Sequence, residues 1–178
     1  MRPVLLNITT SLDGFIAGPD GGIDWLMPPP AEVPADYVAH MDTVDTLVMG
    51  RATYETSLAL EGGLAIFEGK RVYVITSTDE LPLGPGVTLV HEDPVAFVSR
   101  LKSKPGGTIW LFGGGRLATA LSDAGLVDEY LIAIQPVLLG DGIPLWRSPH
   151  GTTRLEGGTA QVWPGGLVVV RYRRESAA

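Results

Sequence analysis

The chain has 178 residues, 45% of them hydrophobic, a composition that supports a folded core and excludes a disordered segment. Its net charge of −7 leaves no basic surplus for neutralising nucleic-acid phosphates, and the lack of cysteine removes disulfides and thiolate metal sites. No apolar run reaches the roughly 18 residues of a membrane span, and the start MRPVLLNITTSLDG lacks a signal-peptide core, so a cytoplasmic protein forming one domain over 1–178 is expected.

In chain order, Val4 to Thr10 is rich in β-formers and predicts a strand. MPPPAEVP (27–34) reads as a rigid surface loop, and ADYVAHMDT (35–43) has helical spacing. DTLVMG (45–50) predicts a short buried strand, followed by a helix in RATYETSLAL (51–60). RVYVIT (71–76) and VTLV (87–90) are further strands. Asp93 followed by Pro94 is an N-cap with proline at the first helical position, opening PVAFVSRLKS (94–103). TIWLF (108–112) is a strand, RLATALSDA (116–124) a helix stopped by Gly125, and EYLIAIQPVLL (129–139) a long strand. The last quarter, TTRLEGGTAQVWPGGLVVVRYRR (152–174), reads as two strands joined by a glycine-rich turn, with Arg171, Arg173 and Arg174 on its solvent face and frayed end. Strands alternating with helices and then a hairpin predict an α/β fold, its sheet mostly parallel with an antiparallel edge.

Chemistry concentrates at strand ends. Gly113, Gly114 and Gly115 sit where a strand meets a helix, either to cradle a phosphate with exposed N–H groups or to make a tight turn. An ordinary Rossmann site needs an acid ~20 residues on, but that position falls in the apolar LIAIQP, so that reading fails. LVMGRATYE (47–55) is a second strand–glycine–helix corner and puts Arg51 at a helix start, where a guanidinium can pair with phosphate. VITSTDE (74–80) ends a third strand in Thr76, Ser77 and Thr78. Hydroxyls and an arginine at neighbouring strand ends suit a ribose 2′-phosphate better than a bare diol. His40, His91 and His150 have no metal-ligand spacing, no nucleophile motif appears, and His40 is expected to be exposed on the first helix.

LVMGRATYE, the hydroxyl-ended strand and IWLFGGGRL (109–117) together resemble the cofactor-binding signature of the dihydrofolate reductase fold. NITTSLDGFIAGPDGGIDWL (7–26) and GLVDEYLIAIQPVLLGDGIPLW (125–146) are similar to one branch of it. That branch holds the reductase domain of the bifunctional riboflavin-biosynthesis deaminase/reductase and its stand-alone relatives. The similarity covers nearly the whole chain. It implies a three-layer fold with an eight-stranded sheet, binding of NADPH, and a homodimer. The reaction implied is hydride transfer to a small pterin-like or ribosyl-pyrimidine substrate, without metal.

Carried over by position, the resemblance implies cofactor contacts at Gly50, Arg51, Ala52 and Thr53, at Thr76, Ser77 and Thr78, and at Gly113, Gly114, Gly115, Arg116 and Leu117. Thr9, Ile16, Ala17 and Gly18 would lie at the nicotinamide, under a mobile flap from Gly18 to Met27. Two aspartates are catalytic candidates. Asp36 begins the first helix, as a pterin-binding acid or only an N-cap; Asp13, in SLDG, lies by the nicotinamide or is a turn residue. Asn7 and Trp25 are expected to touch substrate, with Asp141 and Trp146 as weaker wall candidates. Two rival readings remain, an NADPH sensor without turnover and a protein that sequesters a pterin-like ligand.

Overall fold

The computed structural model describes residues 1–28, 32–60, 62–63 and 65–175; the centre of the proline-rich loop lies outside them. The elements are β1 (Val4–Ser11), β2 (Phe15–Ala17), α1 (Ala35–Met41), β3 (Val44–Gly50), α2 (Arg51–Ala59), β4 (Arg71–Ile75), β5 (Val87–Val90), α3 (Pro94–Lys102), β6 (Thr108–Gly113), α4 (Gly115–Asp123), β7 (Glu129–Gln135), β8 (Ile143–Pro144), β9 (Leu155–Val162) and β10 (Val168–Arg174). Eight strands form one sheet in the order β5-β4-β3-β6-β1-β7-β10-β9. All pairings from β5 to β7 are parallel, and β10 runs antiparallel to both of its neighbours. The expected fold class, mostly parallel α/β with an antiparallel C-terminal hairpin, is observed.

Alternation along the strands sorts the core into two layers. Val4 and Leu6 of β1 pack with Ile109, Leu111, and Phe97, Val98, Leu117 and Leu121 of α3 and α4. Leu5 packs instead with Tyr37 and Met41 of α1, and Leu47 and Met49 of β3 with Tyr54 of α2. The sheet therefore lies between α3/α4 on one face and α1/α2 on the other. Helix α3 starts as predicted, Asp93 accepting from the Ala96 N–H with Pro94 at the first turn.

Four features depart from expectation. Strand β7 stops at Gln135, because Pro136 has no N–H to continue the ladder, and 137–139 turn away as loop. The two-stranded β2–β8 ribbon was not anticipated; strands of 3 and 2 residues carry no readable periodicity. The outermost strand is β9, which leaves β10 interior, so Arg171 is not simply solvent-facing. It donates to Glu129 Oε2 at 2.7 Å and lies 3.3 Å from His40 Nδ1. The same packing buries His40, whose side chain is only 16% exposed, against its expected exposure. Burial and the nearby Arg171 push its imidazole below the ordinary histidine value.

At the opposite end of the sheet, the buried Arg2 guanidinium pairs with Asp45 and Thr46 and donates from Nε to the Gly107 carbonyl at 2.7 Å. Asp45 also accepts from Arg71 at 2.9 Å and from the Gly107 N–H at 2.8 Å, tying the starts of β3, β4 and β6. Partial burial opposes its ionisation, but bonds from Thr46 and Gly107 and the charges of Arg2 and Arg71 win, holding the carboxyl below the usual range. Its contribution is therefore complete above the unfolded value of about 4 and is lost as pH falls through the lower folded one. Asp45→Asn is expected to cost about 2–3 kcal/mol in urea unfolding at neutral pH, below the full cost of breaking a buried pair because the carboxylate is part-exposed. That difference should shrink as the pH is lowered below about 4.

Candidate functional site: two glycine corners and an aromatic floor

Because β4, β3, β6 and β1 are parallel neighbours, their C-terminal ends share one edge of the sheet. Gly50 pairs with Ile75, and Met49 with Gly113, so three corners read separately in the sequence stand side by side. Thr53 of α2 reaches across: its Oγ1 is 3.2 Å from where a Cβ on Gly114 would stand, and Ile16 Cδ1 is 3.8 Å from it. Neither α2 nor α4 has a side-chain cap; Gly50 and Gly114 occupy the N-cap positions. Two helix starts with uncapped backbone donors thus flank one crevice, an arrangement that favours an anion.

The three consecutive glycines have three different reasons. Gly113 has φ +128°, which excludes a side chain, and its peptide bond to Gly114 is cis. A Cβ on Gly115 would stand 2.4 Å from the Pro144 carbonyl oxygen and 2.8 Å from that of Leu145, so this glycine makes room for the chain itself. Gly114 meets only the Thr53 side chain and Ile16 Cδ1, while Gly50, at φ −82°, meets nothing within 4 Å. Internal packing does not demand a glycine at Gly50.

Around these corners, Arg51 and Arg116 are exposed at the helix starts, and Arg51 has only a loose contact with Glu55 at 3.8 Å. Ala52 is exposed and Thr53 half-buried, whereas the Leu117 side chain is buried in the core and leaves only backbone to the crevice. In the turn after β4, Thr76 Oγ1 accepts from the Thr78 N–H and Thr78 Oγ1 from the Glu80 N–H, each at 3.1 Å; Ser77 is exposed. Ile16 and Ala17 lie in β2, and Gly18 starts a turn closed by its own N–H bond to Gly22 O. Further along, Met27 N–H donates to Gln135 Oε1 at 2.9 Å, while the Trp25 indole N–H is enclosed without an acceptor among the described residues.

The two aspartates do different things. Asp13 is exposed, yet its carboxylate accepts from Ser11 Oγ at 2.6 Å, Gly140 N–H at 2.8 Å and Leu139 N–H at 3.1 Å. Those bonds, Ser11 foremost, hold it below the ordinary aspartate value, so it fastens the 137–140 loop instead of presenting a free acid. Asp36 lies in the first turn of α1, but the N-cap is Pro34, which removes the capping alternative. Its Oδ2 accepts from Gln161 Nε2 at 3.3 Å. It opens on a cleft of about 390 Å³ between α1 and the β9–β10 hairpin, lined also by Tyr37, His40, Trp163 and Arg171.

Asn7 is buried and donates to Tyr37 Oη at 3.2 Å, and its carbonyl accepts from Trp110 Nε1 at 2.9 Å. Trp110 and Phe112 lie edge-to-face 4.8 Å apart, with Phe67 against Phe112, and both remain only half-buried although β6 is central. This aromatic floor between α1 and α2 was missed in the sequence, where TIWLF reads simply as a strand. Two aromatics at i and i+2, just before the triple glycine, were the available signal. Thr9, also half-buried, shares this face by alternation. Trp146 does not: it packs near Tyr130, whose hydroxyl bonds Ser122 of α4, on the other side of the sheet. Among the described residues Asp141 accepts only from its neighbour Gly142. No group of three metal-ligating side chains occurs among the described residues.

The model of the RibD C-terminal domain family matches residues 2–167. Among solved structures, a Shewanella sp. PV-4 protein provisionally assigned to riboflavin biosynthesis is 31% identical, with a TM-score of 0.81 over 99% of this chain and 100% of that one. Dihydrofolate reductase from Enterococcus faecalis, complexed with NADP(H) and RAB-propyl, superimposes with a TM-score of 0.68 at 18% identity, covering 98% and 97%. The diaminohydroxyphosphoribosylaminopyrimidine deaminase/5-amino-6-(5-phosphoribosylamino)uracil reductase of Thermotoga maritima gives 0.66 at 17%, over 97% of this chain and 57% of its own. The fold is thus that of dihydrofolate reductases, and the resemblance read in the sequence is observed.

Two glycine substitutions separate packing from ligand approach. Gly115→Ala is expected to lower stability by about 1–3 kcal/mol in urea unfolding, since its Cβ would meet two carbonyl oxygens. Gly50→Ala should cost no more than about 1 kcal/mol, the N-cap preference for glycine over alanine, so a larger loss of coenzyme binding in that variant would report on the crevice and not on the fold.

Proposed function

The chain belongs to the RibD C-terminal domain family, a reductase-like group tied to riboflavin biosynthesis, and on that premise we propose that it is a cytoplasmic, homodimeric NADPH-dependent reductase. Its substrate would be a small polar heterocycle of the pterin-like or ribosyl-pyrimidine kind. The observation that carries the reading is the adjacency of the Gly50 and Gly114 corners, two uncapped helix starts on neighbouring parallel strands.

Backbone N–H groups of Gly114, Gly115, Arg116 and Leu117, with Thr53 Oγ1 and those of Ala52, would hold the pyrophosphate. Arg51 and the hydroxyls of Thr76, Ser77 and Thr78 would take the 2′-phosphate. Thr9 and the backbone of Ile16, Ala17 and Gly18 would line the nicotinamide. When bound, NADPH supplies a hydride to an electrophilic carbon of the substrate. The protein's part is to align and to enclose. Asn7 gives a polar edge and Trp110 and Phe112 a flat wall, while the 18–27 loop with Trp25 excludes water. Of the two aspartates, Asp36 opens on the hairpin cleft and not on the aromatic floor, so it would deliver a proton only to a part of the substrate that extends into that cleft. Asp13 acts by positioning the 137–140 loop against β2. The homodimer is supported by β9, an exposed eight-residue edge strand without proline or lysine.

The test is calorimetric titration with NADPH and NADH, followed by absorbance of the reduced coenzyme in the presence of dihydrofolate or the aminouracil ribosyl phosphate. Arg51→Ala is expected to weaken NADPH binding by about tenfold, the loss of a charge-assisted bond. Asp36→Asn should lower kcat with little change in KM if it delivers the proton. Binding without oxidation of the coenzyme by any substrate would favour the sensing or ligand-sequestering alternatives. No association with either coenzyme removes the reductase reading.

A further inference from the structure

The turn closing β4 places acid directly after its three hydroxyls, Asp79 and Glu80 following Thr78. Next to it, β5 ends at Val90, paired with Ile75 and bonded through its carbonyl to the Thr76 N–H at 3.0 Å. That pairing sets His91 against the turn. His91 Nδ1 is 3.0 Å from the Thr76 carbonyl oxygen, and Nε2 is 3.0 Å from Asp79 Oδ1.

A carbonyl oxygen and an ionised carboxylate can only accept hydrogen bonds. The ring therefore stands between two acceptors, with Nδ1 toward the Thr76 carbonyl and Nε2 at ion-pair distance from the Asp79 carboxylate. Its two partners differ in freedom. The Thr76 carbonyl belongs to a strand end braced by the Thr78 N–H bond, whereas the Asp79 side chain is 91% exposed and makes no other bond among the described residues. The carboxylate is the half of the pair that can leave.

The charges nearby sharpen the consequence. Glu80, Glu92 and Asp93 add negative charge around this end of the sheet, Glu92 being answered by Arg100 and Asp93 capping α3. A phosphate arriving at Thr76–Thr78 finds Arg51 on one side and His91 on the other, with Asp79 already holding His91.

Resting on the coenzyme-binding reading above, we propose that the His91–Asp79 pair sets the choice between coenzymes with and without a ribose 2′-phosphate. His91 Nε2 is the phosphate's contact, and Asp79 is its competitor. Without His91, Asp79 stands unanswered beside the phosphate and repels it. Without the Asp79 charge, His91 is free for the phosphate. A coenzyme lacking that phosphate is indifferent to both changes.

The experiment is calorimetric titration of the full chain with NADPH, NADH, adenosine 2′,5′-bisphosphate and AMP. For His91→Ala, NADPH and the bisphosphate are expected to bind about five- to tenfold more weakly, the loss of one charged hydrogen bond, with NADH and AMP unchanged. Asp79→Asn should tighten the two phosphate-bearing ligands by about twofold, as for an exposed pair, and the gain should fade with added salt. The double variant should lose less than His91→Ala alone, because the repelling carboxylate is gone. His91→Gln, which can still donate to Thr76 O, controls for disturbance of the turn; it should lose NADPH affinity as the alanine variant does. Equal losses for NADPH and NADH, or unchanged discrimination in both His91 variants, would overturn the proposal while leaving the reductase reading intact. A wild type that binds none of the four ligands removes both.

Discussion

Strand β6 is the constraint from which the rest of the geometry follows. The chain lays down β1, then β3, β4 and β5 successively outward, and returns over the other face through α3 before β6 enters the gap between β3 and β1. Its insertion creates the point where strand order reverses, the place where open parallel sheets leave a crevice at their carboxyl ends. The register then decides what the crevice contains. Met49 opposite Gly113 brings the starts of α2 and α4 level, so that two sets of helix N–H groups converge without a side-chain cap on either. A slip of one residue would turn Trp110 and Phe112 away from α1 and α2 toward the α3/α4 core, and would lose the aromatic floor with the corner.

The second element of the design is the segment 137–147, which joins the crevice to the loop at its mouth. Asp13 grips its first part through the amides of Leu139 and Gly140. Its middle runs so close to β2 that a Cβ on Gly142 would stand 2.3 Å from the Ala17 carbonyl oxygen. Its end presses carbonyls against Gly115, and the Arg147 N–H donates to Thr119 of α4. One strip of chain therefore touches both the Phe15–Ala17 ribbon and the first turns of α4. Those two parts are held at a fixed separation, which is the requirement for aligning opposite ends of one extended ligand. It also explains why the carboxylate of Asp13 is engaged three times: the strip has few buried side chains of its own to hold it.

On the α1 face, cover runs out beyond β7. Helix α1 has no fully buried residue, and past it the β9–β10 hairpin stands bare, with every residue of β9 exposed. The cleft between them has an apolar floor of Leu131 and Val169 and a wall made by Tyr37 edge-on to Trp163 at 5.0 Å. Toward its cationic end lie Arg171 and Arg173, both facing Glu129. With Arg171 donating to His40 Nδ1, the histidine proton sits on Nε2, 3.6 Å from Glu129. A second proton on this imidazole would have to displace Arg171, which is the structural counterpart of its lowered affinity for protons.

How much of this could be read from the chain follows from what each part is made of. The crevice consists largely of backbone: glycines, helix starts and hydroxyls that belong to single corners and so leave short local strings, GRATYE, TST and GGGR. Those corners do stand together on one edge of the sheet, although the reason for Gly115 is the Pro144 carbonyl, something no local string contains. The aromatic floor and the hairpin cleft are made of side chains that meet only in three dimensions. Asn7 finds Tyr37 across 30 positions, Trp110 reaches Asn7 across 103, and Gln161 reaches Asp36 across 125. Nothing near Asp36 in the sequence distinguishes a carboxylate facing the aromatic floor from one facing the hairpin. That choice is made by the hairpin, whose own residues carry no sign of it, since the alternation in LEGGTAQV is blurred by two glycines and both faces of the strand are open to solvent. Where side chains from distant elements compose a site, the pairing of strands has to be known before the residues can be assigned to it; where backbone composes it, the corner itself is enough.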